Sequence, residues 1–263
     1  MFNLIIHRNR LIPLKFRCNI CGRINLVYLN KLRRETPSCS KCHSTVRMRS
    51  IVHVLSLTLF GQSIPLMDFP VRPELRVIGL SDWVEYANPL MNKIDYTNTY
   101  YHREPKLDIM AVDPELEGTL DALISSDVFE HVPPPVSLAF KNSYKLLKPD
   151  GVLILTVPYY DLAITQEHFP DLNQYELIQA SGHQLLKNKT QDGREQIFDN
   201  LVFHGGEGAT LEMRVFSKTG LLTELKQAGL GSVKFYPEPF WEFGIYWPDQ
   251  WSLPLTARRS RST

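Results

Sequence analysis

The chain lacks any long hydrophobic run: no stretch of its 263 residues nears the roughly 18 apolar residues of a membrane-spanning helix. The longest candidates, near Ile51 to Phe60 and Val152 to Val157, are interrupted by polar residues. It also lacks a net field. With 29 basic and 28 acidic residues the formal charge is +1, which gives no global attraction to nucleic acid or to an anionic membrane. The start, Met1-Phe2-Asn3-Leu4-Ile5-Ile6-His7-Arg8, lacks the basic region and apolar core of a secretory signal. Cysteine is scarce, with four residues confined to the pairs Cys18/Cys21 and Cys39/Cys42. None is left for a disulfide framework elsewhere, so a soluble, cytoplasmic protein is expected.

What the cysteines do form is a spacing. Two Cys-x-x-Cys turns separated by 17 residues fit a ribbon in which Cys18, Cys21, Cys39 and Cys42 offer four thiolates to one tetrahedral Zn²⁺. Gly22 permits the tight first turn. Four sulfurs fill the coordination shell, so the zinc is structural and His43 is left beside it or at the surface. The basic residues around the ribbon, Arg17, Arg23, Lys31, Arg33, Arg34, Lys41, Arg47 and Arg49, have no interleaved aromatics, and a solvated basic face is expected. Arg47 and Arg49 face either a ligand or solvent. Met48, Ile51, Val52, Leu55 and Leu59 recur at helical spacing, so a helix from about Thr45 docks the ribbon on the rest of the chain. Leu4-Ile5-Ile6 and Leu11-Ile12 are short apolar cover.

Further on, Leu120-Asp121-Ala122-Leu123-Ile124-Ser125-Ser126 and Val152-Leu153-Ile154-Leu155-Thr156-Val157 are buried-strand runs separated by a helical segment that stops at Lys148-Pro149-Asp150-Gly151. This is a βαβ unit of a parallel sheet covered on both faces. Ligands of such sheets bind at the carboxyl ends of the strands, where Asp127, Glu130, His131, Tyr159 and Tyr160 follow. Together "SSDVFEHVP" and "LLKPDGVLILTVPY" resemble strands four and five of class I S-adenosylmethionine-dependent methyltransferases. The pattern Cys-x-x-Cys-x-Ser-x-x-x-x-Arg, Cys39 to Arg49, resembles the subgroup that carries an amino-terminal zinc ribbon.

The resemblance implies an α/β, Rossmann-like, seven-stranded methyltransferase fold, with residues 1–60 as ribbon and docking helix, 61–74 as linker, and 75–263 as the main domain with an insertion at about 161–211. It implies S-adenosylmethionine as cofactor, held by Gly79, Ser81, Asp82, Tyr100, Asp108, Ser126, Asp127 and Val128. The chain departs from the family at the first turn, where Ser81 and Trp83 replace glycines and Val77 replaces an acid; Asp82 can supply the missing carboxylate. No acid ends the second strand, leaving Asn98, Tyr100 or His102 for the ribose. Asp108, with Asp113 second, stands where the third strand's acid meets the adenine. His131 and His168 are the candidate bases, each with a structural reading beside it. The acceptor would lie among His131, Tyr159, Tyr160, Glu167 and His168.

The segment 171–211, with Gly193 and Gly205-Gly206-Glu207-Gly208, is either a lid over the acceptor or a surface loop. "RVFSKTGLLTELKQAGL" and Val233 to Tyr236 supply the last helix and strand. The aromatics from Phe240 to Trp251 cover the core, and the tail Arg258-Arg259-Ser260-Arg261 is expected to be disordered. A small-molecule or sugar acceptor fits the long lid, with nucleic acid disfavoured. The competing reading of the altered first turn is a non-catalytic binding or scaffolding module.

Overall fold

The structure is a computed structural model that describes residues 12–180, 182–204 and 210–260. The short apolar piece at residues 4–6, the Gly205 to Gly208 turn and Arg261 lie outside the described residues. The chain opens with a hairpin, β1 (Pro13–Arg17) and β2 (Ile24–Tyr28), paired antiparallel. Helix α1 (Val46–Phe60) follows, capped by Thr45, whose side chain accepts from the Met48 amide, and stopped by Gly61 at φ 72°. Most of its first three turns is buried, including Val46, Ile51, Val52, Val54 and Leu55, rather than one stripe. Each buried aliphatic side chain contributes about 1.5 to 3 kcal/mol, which fixes the helix across the central sheet.

That sheet starts with β3 (Arg72–Leu80), which runs into α2 (Val84–Leu90) and β4 (Ile94–Thr99). The βαβ unit follows as β5 (Leu120–Ser126), α3 (Ser137–Leu146) and β6 (Leu147–Thr156). Ala122, Leu123, Ile124, Leu153, Ile154 and Leu155 have no exposed surface, as the uninterrupted apolar runs require of strands covered on both faces.

Residues 159–217 leave the sheet and return. They form β7 (Tyr159–Tyr160), β8 (Gln166–Glu167), β9 (Gln174–Ala180), β10 (His183–Lys189), β11 (Glu195–Phe198), β12 (Phe203–His204), β13 (Thr210–Leu211) and β14 (Arg214–Ser217). Within this stretch β9, β10 and β11 make an antiparallel meander. A small core of Phe169, Leu186, Leu211 and Met213 holds it. The chain closes through α4 (Lys218–Gln227), β15 (Leu230–Phe235) and β16 (Leu255–Arg259).

The central sheet has the order β15-β16-β6-β5-β3-β4, with β3 to β6 parallel and β16 antiparallel to both its neighbours. It is Rossmann-like and mixed. Two expectations are corrected. Among the described residues the sheet has six strands rather than seven, because Leu107 to Asp113 turns instead of extending. There the Asp108 carboxylate accepts from the Met110 amide and Asp113 from the Glu115 amide, capturing backbone donors that a strand would pair. Arg258 and Arg259, at the start of the tail expected to be disordered, instead end β16, whose Ala257 is fully buried between β6 and β15. The core is continuous from Phe16 in the ribbon to Ala257.

Candidate functional site

The four cysteine sulfurs lie within 4.8 Å of one another. Cys18 and Cys42 are 3.7 Å apart and Cys21 and Cys39 3.5 Å, too long for a disulfide and close to the ~3.8 Å edge of a tetrahedron of Zn–S bonds of about 2.3 Å. Backbone amides close both turns, Gly22 onto Cys18 and His43 onto Cys39. The residues fit zinc. His43 is exposed.

Arg49, by contrast, is fully buried beneath the cluster. Its guanidinium donates to the carbonyls of Ser44, Phe243 and Gly244 and to the hydroxyls of Ser38 and Ser44. Burial pushes its pKa down to about 10, with the thiolates opposing, so it stays charged at neutral pH and offsets the negative cysteine cluster.

The solvated basic face expected around the ribbon is also corrected at Arg34 and Arg47. Arg34 forks onto Asp127 at 2.6 and 2.8 Å, while Arg47 reaches Ser126 at 2.6 Å and Asp127 at 3.2 Å. The ribbon and its helix thus place two cations over the carboxyl ends of β5 and β6. Thr156 donates to Asp127 from the next strand. Burial would raise the Asp127 carboxyl, but the charges of Arg34 and Arg47 pull it down to about 2. Asp127 sits at φ 54°, in the left-handed region that Asp adopts more readily than most residues.

Of the expected cofactor residues, Gly79, Ser81, Asp82, Tyr100, Ser126, Asp127 and Val128 lie at or just past the ends of β3, β4 and β5, which the register aligns: Leu80 pairs with Thr99 and Ser125, and Ser126 with Thr156. Asp108 lies in the turn after β4. Ser81 is exposed at φ 55°, a left-handed turn that glycine takes most readily. Gly79 is required by close approach, since a Cβ there would stand 2.1 Å from the Asp82 carboxylate and 2.2 Å from the Tyr96 hydroxyl.

Asp82 is buried and accepts from Tyr96 at 2.7 Å, yet its Oδ1 has no partner. Burial pushes its pKa up to about 7. Ser125 Oγ, at the end of β5, is likewise buried and unpartnered. Trp83 does not fill the turn; it caps α2 and packs edge-on against Tyr86. Asn98 is spent on the Asp82 backbone and Tyr100. Tyr100 carries Arg103 over its ring. Val128 is half-buried beside Asp127.

Two open clefts, of about 240 Å³ between Arg34 and Trp251 and about 610 Å³ over the ribbon, lie away from Gly79 and Asp108. The orphaned polar atoms, rather than these clefts, mark the candidate site.

Past Asp127 the 3₁₀ turn Phe129–His131 presents Glu130 and His131. Arg214, fully buried, clamps this turn by donating to the carbonyls of Phe129 and Val132 and pairs with Glu167. Glu130 is buried with both carboxylate oxygens unpartnered, and burial beside the charge of Asp127 pushes its pKa well up. His131 Nδ1 donates to the Leu211 carbonyl at 3.0 Å, and burial lowers its pKa.

The two expected bases are joined by residues outside the expected set. Glu212 bridges His168 at 2.8 Å and His204 at 3.1 Å, and the His204 ring stands edge-on to His131 with centroids 5.3 Å apart. Tyr159 is corrected out of the acceptor group; it is buried against Phe235. Tyr160 stacks on Trp251, and Glu167 serves Arg214. Arg34, His204, Glu212 and Arg214 were not legible as site residues, although the density of His and Glu between 167 and 212 was a usable signal.

Residues 90–155, which include β4 to β6 up to Leu155, match the family model described as "Methyltransferase domain". No protein of curated function matches the chain. Solved structures similar to it include the 1,6-didemethyltoxoflavin-N1-methyltransferase of Burkholderia thailandensis, at 15% identity over 81% of this chain and 78% of that one, TM-score 0.44. A sugar N-methyltransferase of Streptoalloteichus is similar at 11% identity over 82% and 87%, TM-score 0.45. An amino pentose methyltransferase of Micromonospora echinaspora, bound to S-adenosylmethionine, is similar at 12% identity over 81% and 90%, TM-score 0.43.

Proposed function

We propose that the chain is an S-adenosylmethionine-dependent methyltransferase that acts on a small-molecule or sugar acceptor. The observation that carries the reading is the family match at residues 90–155, which spans the strand, corner, helix and strand that set out the candidate edge. The polar groups left open there fit the cofactor at both ends. The unpartnered Asp82 Oδ1 suits the ammonium of its methionine moiety. The carboxyl oxygen of Asp108 not used by Met110 suits the adenine amino group.

When bound, the cofactor supplies a methyl group on a cationic sulfur that leaves readily. The chain's own residues then position and deprotonate. His168, oriented through Nε2 by Glu212, takes the acceptor proton at Nδ1. The Glu130–His131 turn holds the acceptor in line, and positioning of this kind supplies much of the acceleration in a displacement.

Calorimetric titration of the zinc-loaded protein with S-adenosylmethionine and S-adenosylhomocysteine tests the reading. Micromolar binding, on the order of 8 kcal/mol, is expected. Absence of binding to both would refute it in favour of a binding module that kept the fold.

A further inference from the structure

The corner beside Asp127 gathers acceptors without donors. One ligand atom from each of Glu130, His131 and His204 lies within 4.8 Å of the others. Glu130 has no exposed surface and neither of its oxygens has a hydrogen-bond partner. A buried carboxylate in that condition is strongly destabilised unless something positive or protonated meets it. The nearest candidate is His131 Nε2 at 3.9 Å from Glu130 Oε1. That nitrogen does not answer the need: Nδ1 carries the proton donated to the Leu211 carbonyl, so neutral His131 turns a lone pair towards Glu130.

His204 is arranged in the same sense. Its Nε2 stands 3.1 Å from Glu212 Oε2, which leaves Nδ1 as the nitrogen open to a ligand. A carboxylate or carbonyl behind each imidazole is the arrangement that fixes the tautomer and ring plane of metal-binding histidines. Buried Arg214, donating to Phe129 and Val132, holds the turn that carries Glu130 and His131. The site is therefore built from behind as well as in front.

We propose that Glu130, His131 and His204 bind a divalent cation at the floor of the acceptor corner, distinct in chemistry from the zinc held by the four cysteines. Two imidazoles and a carboxylate on one side of an ion suit first-row metals such as Mn²⁺ and leave positions open. The outer wall is His204, 41% exposed, and His168, 31% exposed. The open positions therefore face the side from which an acceptor enters, and take oxygen from water or from the acceptor. Placing an acceptor there rests on the methyltransferase reading; binding of the cation does not.

Mn²⁺ is the probe, because thiolates disfavour it and the ribbon zinc stays in place. The zinc-loaded full chain is titrated with Mn²⁺ and followed by electron paramagnetic resonance, with zinc content measured alongside. Single-site binding is expected, weakened at least tenfold by Glu130→Gln and by His204→Phe, and unchanged by Glu195→Gln on the exposed meander. Glu130→Gln keeps the shape of a protonated Glu130, and His204 is half exposed, so both variants are expected to fold; if one does not, the other decides.

No Mn²⁺ bound by the wild-type chain, or binding that survives both substitutions, overturns the proposal. S-adenosylmethionine binding is measured on the same samples. Cofactor binding without Mn²⁺ binding sinks the cation site alone, and Mn²⁺ binding without cofactor binding sinks the methyltransferase reading alone.

Discussion

Arg49→Met removes the cation that the fold buries under the cysteine cluster. Five hydrogen bonds leave with the guanidinium, among them those to the Phe243 and Gly244 carbonyls that tie the ribbon to the 3₁₀ turn Trp241–Phe243. Each buried carbonyl stripped of its donor costs about 1 to 3 kcal/mol. Loss of the stacking on Phe16, whose ring centroid lies 4.7 Å from the guanidinium carbon, adds about 1 kcal/mol. Methionine fills most of the volume and is spared the desolvation of a buried charge, which returns part of the cost. The expected net loss is therefore about 3 kcal/mol, or roughly 6 to 12 °C in Tm at about 2 to 4 °C per kcal/mol for a chain of this size. The measurements are calorimetric melting of the zinc-loaded protein and the rate of zinc release to a chelator, which should rise as the thiolates lose their counter-charge. Arg49→Lys restores charge without the fork and should fall between. A Tm within about 2 °C of wild type, with unchanged zinc release, would refute the role assigned to Arg49.

Cys39→Ser should lower zinc content and Tm together, and unchanged metal content would sink the four-thiolate assignment. Gly79→Ala forces a methyl against Asp82 and Tyr96; a stability loss of about 1 to 3 kcal/mol and weaker cofactor binding are expected, with urea unfolding and calorimetry as the checks. For Asp82, a folded pKa of about 7 lies above the unfolded value near 3.9, so the folded state holds the extra proton between them. Stability of the cofactor-free protein should fall as pH rises through that window, by about 4 kcal/mol in all. Asp82→Asn should remove this slope in urea unfolding at pH 5 and pH 8, and a slope that persisted would show that Asp82 ionises normally. The same variant should lose cofactor affinity.

Local chemistry was legible in the sequence. The two Cys-x-x-Cys turns announced a cluster of four sulfurs because these need only short, fixed loops to converge. The runs Leu120 to Ser126 and Val152 to Thr156 announced a doubly covered parallel pair, since burial on both faces leaves no polar alternation, and the corner from Asp127 to His131 followed at the strand end. The contacts that tertiary structure decided join residues far apart in sequence and leave no periodic trace. Arg34 meets Asp127 across 93 positions and Arg47 meets Ser126 across 79. Their charges looked like a solvated face because nothing in their own segment showed what lay opposite. Arg258 and Arg259 joined the end of β16 because β15 and β6 offer that strand a ladder on both edges, which outweighed their charge. Likewise His131 reaches Leu211 across 80 positions and His168 reaches Glu212 across 44, with His204 beside them; the sequence supplied donor types, and only the folded chain brought them together.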